Sequence, residues 1–296
     1  MIGATAGEPS TPAPEEDLSQ LSIASPTRNP SSPPPTRSAS VNDFSALSRR
    51  SLLSFSRQTF PGYNPAPHLV KLAGALSLVE SGDIPRLLVT MPPRHGKSEL
   101  CAVRFPAWFL GRNPDKRFIL ASYASDLAER FSRQVRSVVD SDTYLPIFPG
   151  VGMDPVSRSV SAWDLYGRRG GMKAVGVGGP ITGHGAHVLL IDDPIKNREE
   201  AESLVMRESV WNWYPSTAYT RLEDNGAVIV VMTRWQEDDL AGRLLEAQRV
   251  HARSDQWHVL HMPAINEQGE ALWPAKYSAD DLERIRVNIG SYDWSA

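Results

Sequence analysis

Cysteine is almost missing from this chain: Cys101 is the only one in 296 residues. A single thiol excludes an internal disulfide and a thiolate zinc site, and it fits a reducing, cytosolic compartment. A basic excess is missing too. Lys plus Arg is 31 against 34 Asp plus Glu, a formal net charge of −3. The whole-chain basic footprint of a free-standing nucleic-acid binder is therefore absent, although a local patch is still allowed. Long apolar runs are also lacking, since the longest of note, Ala227 to Met232, has a strand's length and not a membrane span's. Residues 1–40 lack hydrophobic periodicity and hold eight of the 24 prolines and as many serines. Such a segment cannot bury enough surface to offset its ordering entropy, so a disordered Pro/Ser-rich tail is expected there. Glu15, Glu16 and Asp17 sit where a secretory signal needs its apolar core, and sparse arginine argues against a transit peptide.

From about Val41 the chain alternates strand and helix signals. Short aliphatic runs at Arg86–Met91, Phe118–Tyr123, Val188–Ile191 and Ala227–Thr233 read as strands buried on both faces of a parallel sheet. Between them lies a helix that Ser125 would cap, with Leu127, Phe131, Val135 and Val138 on its apolar face. Further helices are expected over Glu199–Tyr214, stopped by Pro215, over Gln236–Gln248, and after Ser278 with Leu282, Ile285 and Ile289. The pattern predicts an α/β fold with a mostly parallel, doubly wound sheet.

Directly after the first strand comes Met91-Pro-Pro-Arg-His-Gly-Lys-Ser98. Its end, Gly96-Lys97-Ser98, matches the close of the phosphate-loop pattern G-x-x-x-x-G-K-[ST]. Backbone N–H groups must wrap a polyphosphate, so Gly96 lets the chain turn, and the following helix offers its N-terminal N–H groups and positive dipole end. Arg94, His95, Gly96, Lys97 and Ser98 are the candidate ATP-binding residues. Lys97 would reach the β- and γ-phosphates and the Ser98 hydroxyl would bind Mg²⁺. Met91 stands where the pattern has its first glycine, and the triplet alone also fits a solvated turn.

The third strand closes in two carboxylates, Asp192 and Asp193. In such ATPases the first acid holds Mg²⁺ and the second orients and deprotonates the attacking water. Alone, Asp192-Asp193-Pro194 reads equally well as a turn. A phosphate loop roughly 95 residues upstream favours the functional reading. Thr233, at the tip of the fourth strand, can sense the γ-phosphate, cap the next helix, or do both.

These motifs resemble the ATPase part of the terminase large subunit of tailed bacteriophages. The resemblance rests on the Pro-Pro-Arg-His-Gly-Lys-Ser loop, Gly178-Gly-Pro-Ile-Thr-Gly-His-Gly185, Ile191-Asp-Asp-Pro-Ile-Lys196 and Thr233-Arg-Trp-Gln-Glu-Asp-Asp-Leu240, in that order. It runs from about Phe60 to the C-terminus. It implies a P-loop NTPase fold with an extra strand between the phosphate-loop strand and the acidic strand. It also implies Mg²⁺-dependent ATP hydrolysis that drives double-stranded DNA into procapsids. Carried over residue by residue, Asp192 matches the metal carboxylate, Asp193 the catalytic one, Thr233 the coupling segment and Arg94 the extra basic residue of the loop. Adenine recognition falls to the region of Phe60, Tyr63 and His68. An arginine finger acting on a neighbour in a homo-oligomeric ring is expected among Arg130, Arg133 and Arg136, with Arg136 preferred, although the same stripe suits a solvated helix face. A portal protein and a small terminase subunit are the implied partners, and the host cytoplasm the implied location. The expected organisation is a tail over 1–40, an ATPase domain over 41–275, and over 276–296 the start of a linker toward a nuclease domain that this chain does not include.

Other signals are weaker. The His184/His187 and His258/His261 pairs lack the four ligands a structural zinc wants. Gly167-Arg-Arg-Gly170 with Lys173 makes a small basic patch, suited to phosphate-backbone contact. The glycines from 176 to 185 suit a mobile loop near the γ-phosphate or a surface connection. Two rival functions remain at this level: another nucleic-acid ATPase such as a helicase, and a non-hydrolysing remnant or assembly module.

Overall fold

The structure is a computed structural model that describes residues 41–181 and 183–294; the proline-rich segment 1–40 lies outside the described residues. Three helices open it: α1 (Val41–Arg50), α2 (Leu52–Thr59) and α3 (Pro67–Ser81). The buried run Arg86–Thr90 forms β1, and the phosphate-loop segment leads into a π-helical turn, Glu99–Arg104, continued by α4 (Phe105–Arg112). Then follow β2 (Arg117–Ser122), α5 (Ser125–Val139), α6 (Tyr144–Ile147), β3 (Met153–Arg158), β4 (Ala162–Leu165), β5 (Gly171–Gly176) and β6 (Ala186–Asp192). The C-terminal half adds α7 (Arg198–Glu202), α8 (Leu204–Trp213), a second π-turn at Tyr214–Ala218, β7 (Leu222–Met232), α9 (Leu240–Val250), β8 (His258–His261) and α10 (Ala279–Trp294), which kinks at Gly290.

The described strands form one sheet in the order β3-β4-β5-β2-β6-β7-β1-β8. From β5 to β8 every pairing is parallel; β3/β4 and β4/β5 are antiparallel. Successive side chains of a strand point to opposite faces, and the two cores follow that alternation. Leu87, Val89, Leu120, Leu190 and Ile229 pack with α2–α5 on one face. Leu88, Ile119, Leu189, Ile191 and Val230 pack with α8 and α9 on the other. The sheet is doubly wound, as the aliphatic runs imply, and the extra strand is β7, lying between β1 and β6.

Several expectations need correction. In sequence, four strands separate the phosphate loop from the acidic strand rather than one. The helix expected over 199–214 is two helices, because Ser203 leaves helical geometry (φ −72°, ψ 113°) and caps the second through the Met206 N–H. Pro215 does not stop the chain there, since α8 runs without a break into the π segment at Tyr214–Ala218 and Pro215 lies inside that change of helical register. Leu240 starts α9, four residues late, because Asp239 accepts from the Gly242 N–H and from Arg234. Ser125 is the first residue of α5, so its cap is Ala124, which has no side-chain bond to offer. Ser278 does engage the start of α10, exchanging hydrogen bonds with Asp281; of the three apolar residues expected on that helix only Leu282 is buried.

Candidate nucleotide site

At the C-terminal ends of β1, β6 and β7 an open cleft of about 940 Å³ is walled by Lys97, Ser98, Asp193 and Arg94 on one side and by Phe60, Tyr63, Trp273 and Lys276 elsewhere. Ligands of open α/β sheets bind beyond these strand ends. The loop between β1 and the π-turn is built by two left-handed residues, Arg94 (φ 62°) and Gly96 (φ 89°). A Cβ on Gly96 would come within 3.0 Å of the Leu69 side chain, so both conformation and space ask for glycine there. Met91 needs no such freedom: its φ is not positive, its N–H donates to Met232 and its side chain joins the core. A glycine at that position is not required by this loop.

Lys97 is 4% exposed. Its ammonium lies 3.1 Å from Asp193 Oδ1, donates to the Thr233 hydroxyl, and reaches the Met91 carbonyl at 3.3 Å. Asp193 also accepts the Thr233 N–H at 2.8 Å. Its backbone is left-handed (φ 43°), a region that aspartate and asparagine enter more readily than other non-glycine residues. Asp192 is 1% exposed and receives the Ser98 hydroxyl at 3.3 Å. Burial first and the Asp193 charge second push its carboxyl up to about 7, against the opposing pull of Lys97 and Ser98. Beside it in register, Ser122 on β2 has a buried hydroxyl with no partner among the described residues.

This set of hard oxygen donors around a buried, charge-starved carboxylate fits a hard divalent cation such as Mg²⁺. Five of the candidate residues, Gly96, Lys97, Ser98, Asp193 and Thr233, meet at the cleft or within hydrogen-bond reach of its wall, and Asp192 stands just behind. Arg94 lines the cleft as well. His95 contributes backbone only, because its ring is buried, with Nδ1 bonded to the Pro93 carbonyl and burial lowering its pKa. Arg136 is not in the cleft. It sits in the last turn of α5, three turns from the helix start that adjoins Gly176.

Of the residues expected near adenine, Phe60 and Tyr63 stack on each other (centroids 5.8 Å, 30°) and line the cleft. Arg104 holds that corner: it pairs with Glu99 at 2.7 Å, donates to the Thr59 carbonyl and covers the Phe60 ring. His68 is buried instead and bonds the His95 carbonyl at 2.9 Å. Sequence reasoning missed Trp273, Lys276 and Tyr277. They carry no motif and lie some 180 positions after the loop they touch.

A family model for the N-terminal part of the terminase large subunit, T4-like-virus type, matches residues 88–285. No curated protein matches the chain. Among solved structures, an ATPase-domain variant of the Thermus phage P74-26 large terminase aligns with TM-score 0.51 and 12% identity, over 81% of this chain and 94% of that one. The bacteriophage HK97 large terminase aligns with TM-score 0.51 and 11% identity, over 75% of this chain. The chain spans only 45% of the HK97 protein's length. At these identities the structures share the fold, and the family model, which covers two thirds of the sequence and both motifs, carries the assignment: the chain belongs to the terminase large-subunit family, in its N-terminal, T4-like-virus-type part.

Proposed function

We propose that this chain is a Mg²⁺-dependent ATPase that drives double-stranded viral DNA into a procapsid in the host cytoplasm. It would work in a homo-oligomeric ring, with a portal protein and a small terminase subunit as partners. The observation that carries the reading is the convergence of Lys97, Ser98, Asp192, Asp193 and Thr233 at one cleft from separate parts of the chain. The matched family and the ATPase domain of the Thermus phage protein agree with it.

In this reading the loop N–H groups and Lys97 bind the phosphates, and Ser98 and Asp192 hold Mg²⁺. The bound cation supplies charge neutralisation at the transferring phosphoryl group. Asp193, fixed by the Thr233 N–H, orients the attacking water and takes its proton. Lys97 exchanges Asp193 for phosphate, so the loop and the acid respond to the same ligand. Thr233 touches both Lys97 and Asp193 and is the group placed to report the change to β7 and α9. An arginine of a neighbouring subunit, Arg136 the candidate, would neutralise further charge in the transition state.

A thermal-shift titration with Mg²⁺-ATP tests the site without requiring assembly. Ligand at 100 times its dissociation constant adds about 2.7 kcal/mol, a rise of about 5–10 °C for a domain of this size. Lys97→Ala removes the rise while the protein remains folded; no rise in the folded wild type refutes the reading.

A further inference from the structure

Lys276 is a cation in the cleft that the mechanism above does not use. Lys276 belongs to the segment 272–277, which follows β8 and leads into α10. Its ammonium donates to the Arg94 carbonyl at the left-handed crest of the phosphate loop. It has no carboxylate partner among the described residues, and its side chain is exposed in the same cleft as Lys97, Ser98 and Asp193.

Its position is held from three sides. The ammonium lies over the Trp273 ring at 4.8 Å and the Tyr277 ring at 5.3 Å. Trp273 packs edge-on against His68 (5.4 Å), and Tyr277 packs at a 40° tilt against His95 (5.3 Å). His68 in turn holds the His95 carbonyl. A long lysine side chain ordinarily samples many rotamers, and ordering it costs entropy. Here two aromatic faces and a carbonyl supply the order in advance, and the charge faces a cleft in which Lys97 is compensated by Asp193.

We propose that Lys276 is a second phosphate-binding residue, contributing an ammonium to the polyphosphate from the C-terminal segment rather than from the phosphate loop. The inference rests on the nucleotide reading of the cleft. It adds that the segment leading into α10 is tied to the loop through one charge. The Arg94 carbonyl is a neutral acceptor and a phosphate oxygen an anionic one. The ammonium gains from the phosphate a Coulomb attraction between full charges that the carbonyl does not offer, so an anionic phosphate displaces the Arg94 carbonyl as the acceptor.

The test compares Mg²⁺-ATP affinity by calorimetry in the full chain for wild type, Lys276→Arg, Lys276→Gln and Lys276→Ala, with Lys97→Ala alongside. Glutamine can still donate to the Arg94 carbonyl but carries no charge; arginine keeps the charge. Expected are about tenfold weaker binding in Lys276→Gln and Lys276→Ala, near wild-type binding in Lys276→Arg, and a shallower salt dependence in the two neutral variants. Melting temperatures without nucleotide identify any variant weakened by misfolding, and the Gln/Arg pair then decides. Wild-type affinity in Lys276→Gln overturns the proposal, since a loop brace alone would suffice. If wild type itself binds no nucleotide, the reading of the cleft fails and the proposal falls with it. If wild type binds and Lys97→Ala does not while Lys276→Gln matches wild type, only the Lys276 assignment fails.

Discussion

Replacing Asp193 by asparagine removes a charge at the acid while leaving its shape. The side chain keeps an oxygen for the Thr233 N–H, which it accepts at 2.8 Å, and asparagine tolerates the left-handed backbone at φ 43°. What is lost is the ion pair with Lys97 at 3.1 Å. At an effective dielectric of about 20 that pair has a gross Coulomb energy of about 5 kcal/mol. The Asp193 side chain is 28% exposed, and its charge also works against Asp192; with screening and that relief, the net effect on the competition for Lys97 is about 1 kcal/mol. The variant should therefore bind Mg²⁺-ATP as well as wild type or about fivefold more tightly, because 1.4 kcal/mol is a factor of ten. Phosphate release should fall by about a hundredfold or more, the range for losing a general base. Calorimetry or thermal shift reads the first quantity and a single-turnover phosphate-release assay the second, each beside wild type. Hydrolysis at the wild-type rate would refute the assignment of Asp193. Lost nucleotide binding would refute the claim that its charge competes for Lys97.

Two further substitutions probe the loop. Gly96→Ala places a Cβ at φ 89° and 3.0 Å from Leu69; it should cost about 1–2 kcal/mol in denaturant unfolding and weaken nucleotide binding, and wild-type stability would contradict the strain argument. Met91→Gly restores the first glycine of the pattern, yet it empties a side chain only 3% exposed; a loss of about 3–5 kcal/mol with no gain in nucleotide affinity is expected, and tighter binding at full stability would show that the loop does want glycine there.

The strands legible from sequence were those buried on both faces. Arg86–Thr90, Arg117–Ser122, Ala186–Asp192 and the Ala227–Met232 part of β7 are largely aliphatic runs inside the sheet. β7 starts five residues before the expected Ala227, in the polar stretch from Leu222 that carries no such signal. The edge was not legible. β3 carries Asp154, Pro155 and Arg158 with a mostly exposed pattern, β4 is four residues long, and β5 opens on glycine inside a basic stretch. β3 and β4 are antiparallel strands at the sheet's edge with few buried residues, so hydrophobicity alone does not mark them. β5 is buried on both faces but is short and bounded by glycines. The chemistry was legible wherever a short motif holds its own geometry, as in Gly96-Lys97-Ser98 and Asp192-Asp193. It was illegible where geometry comes from tertiary packing: nothing near Lys276 announces that Trp273 and Tyr277 turn it onto the phosphate loop. His68 shows the converse, since a histidine in the right stretch of sequence is used to brace a carbonyl.

Because β7 separates β1 from β6, the lysine loop and the acidic pair stand on strands two places apart, and neighbouring strands are about 4.8 Å apart. The sheet thus acts as a caliper whose jaws are set about 9–10 Å apart, with Thr233 on the bar between them. Val231 pairs with Val89 on one side and with Asp192 on the other, so the gauge is zeroed by the register of one strand. Side chains deep under β7, such as Ile229 and Val230, touch no ligand and yet set the span that a ligand must fill.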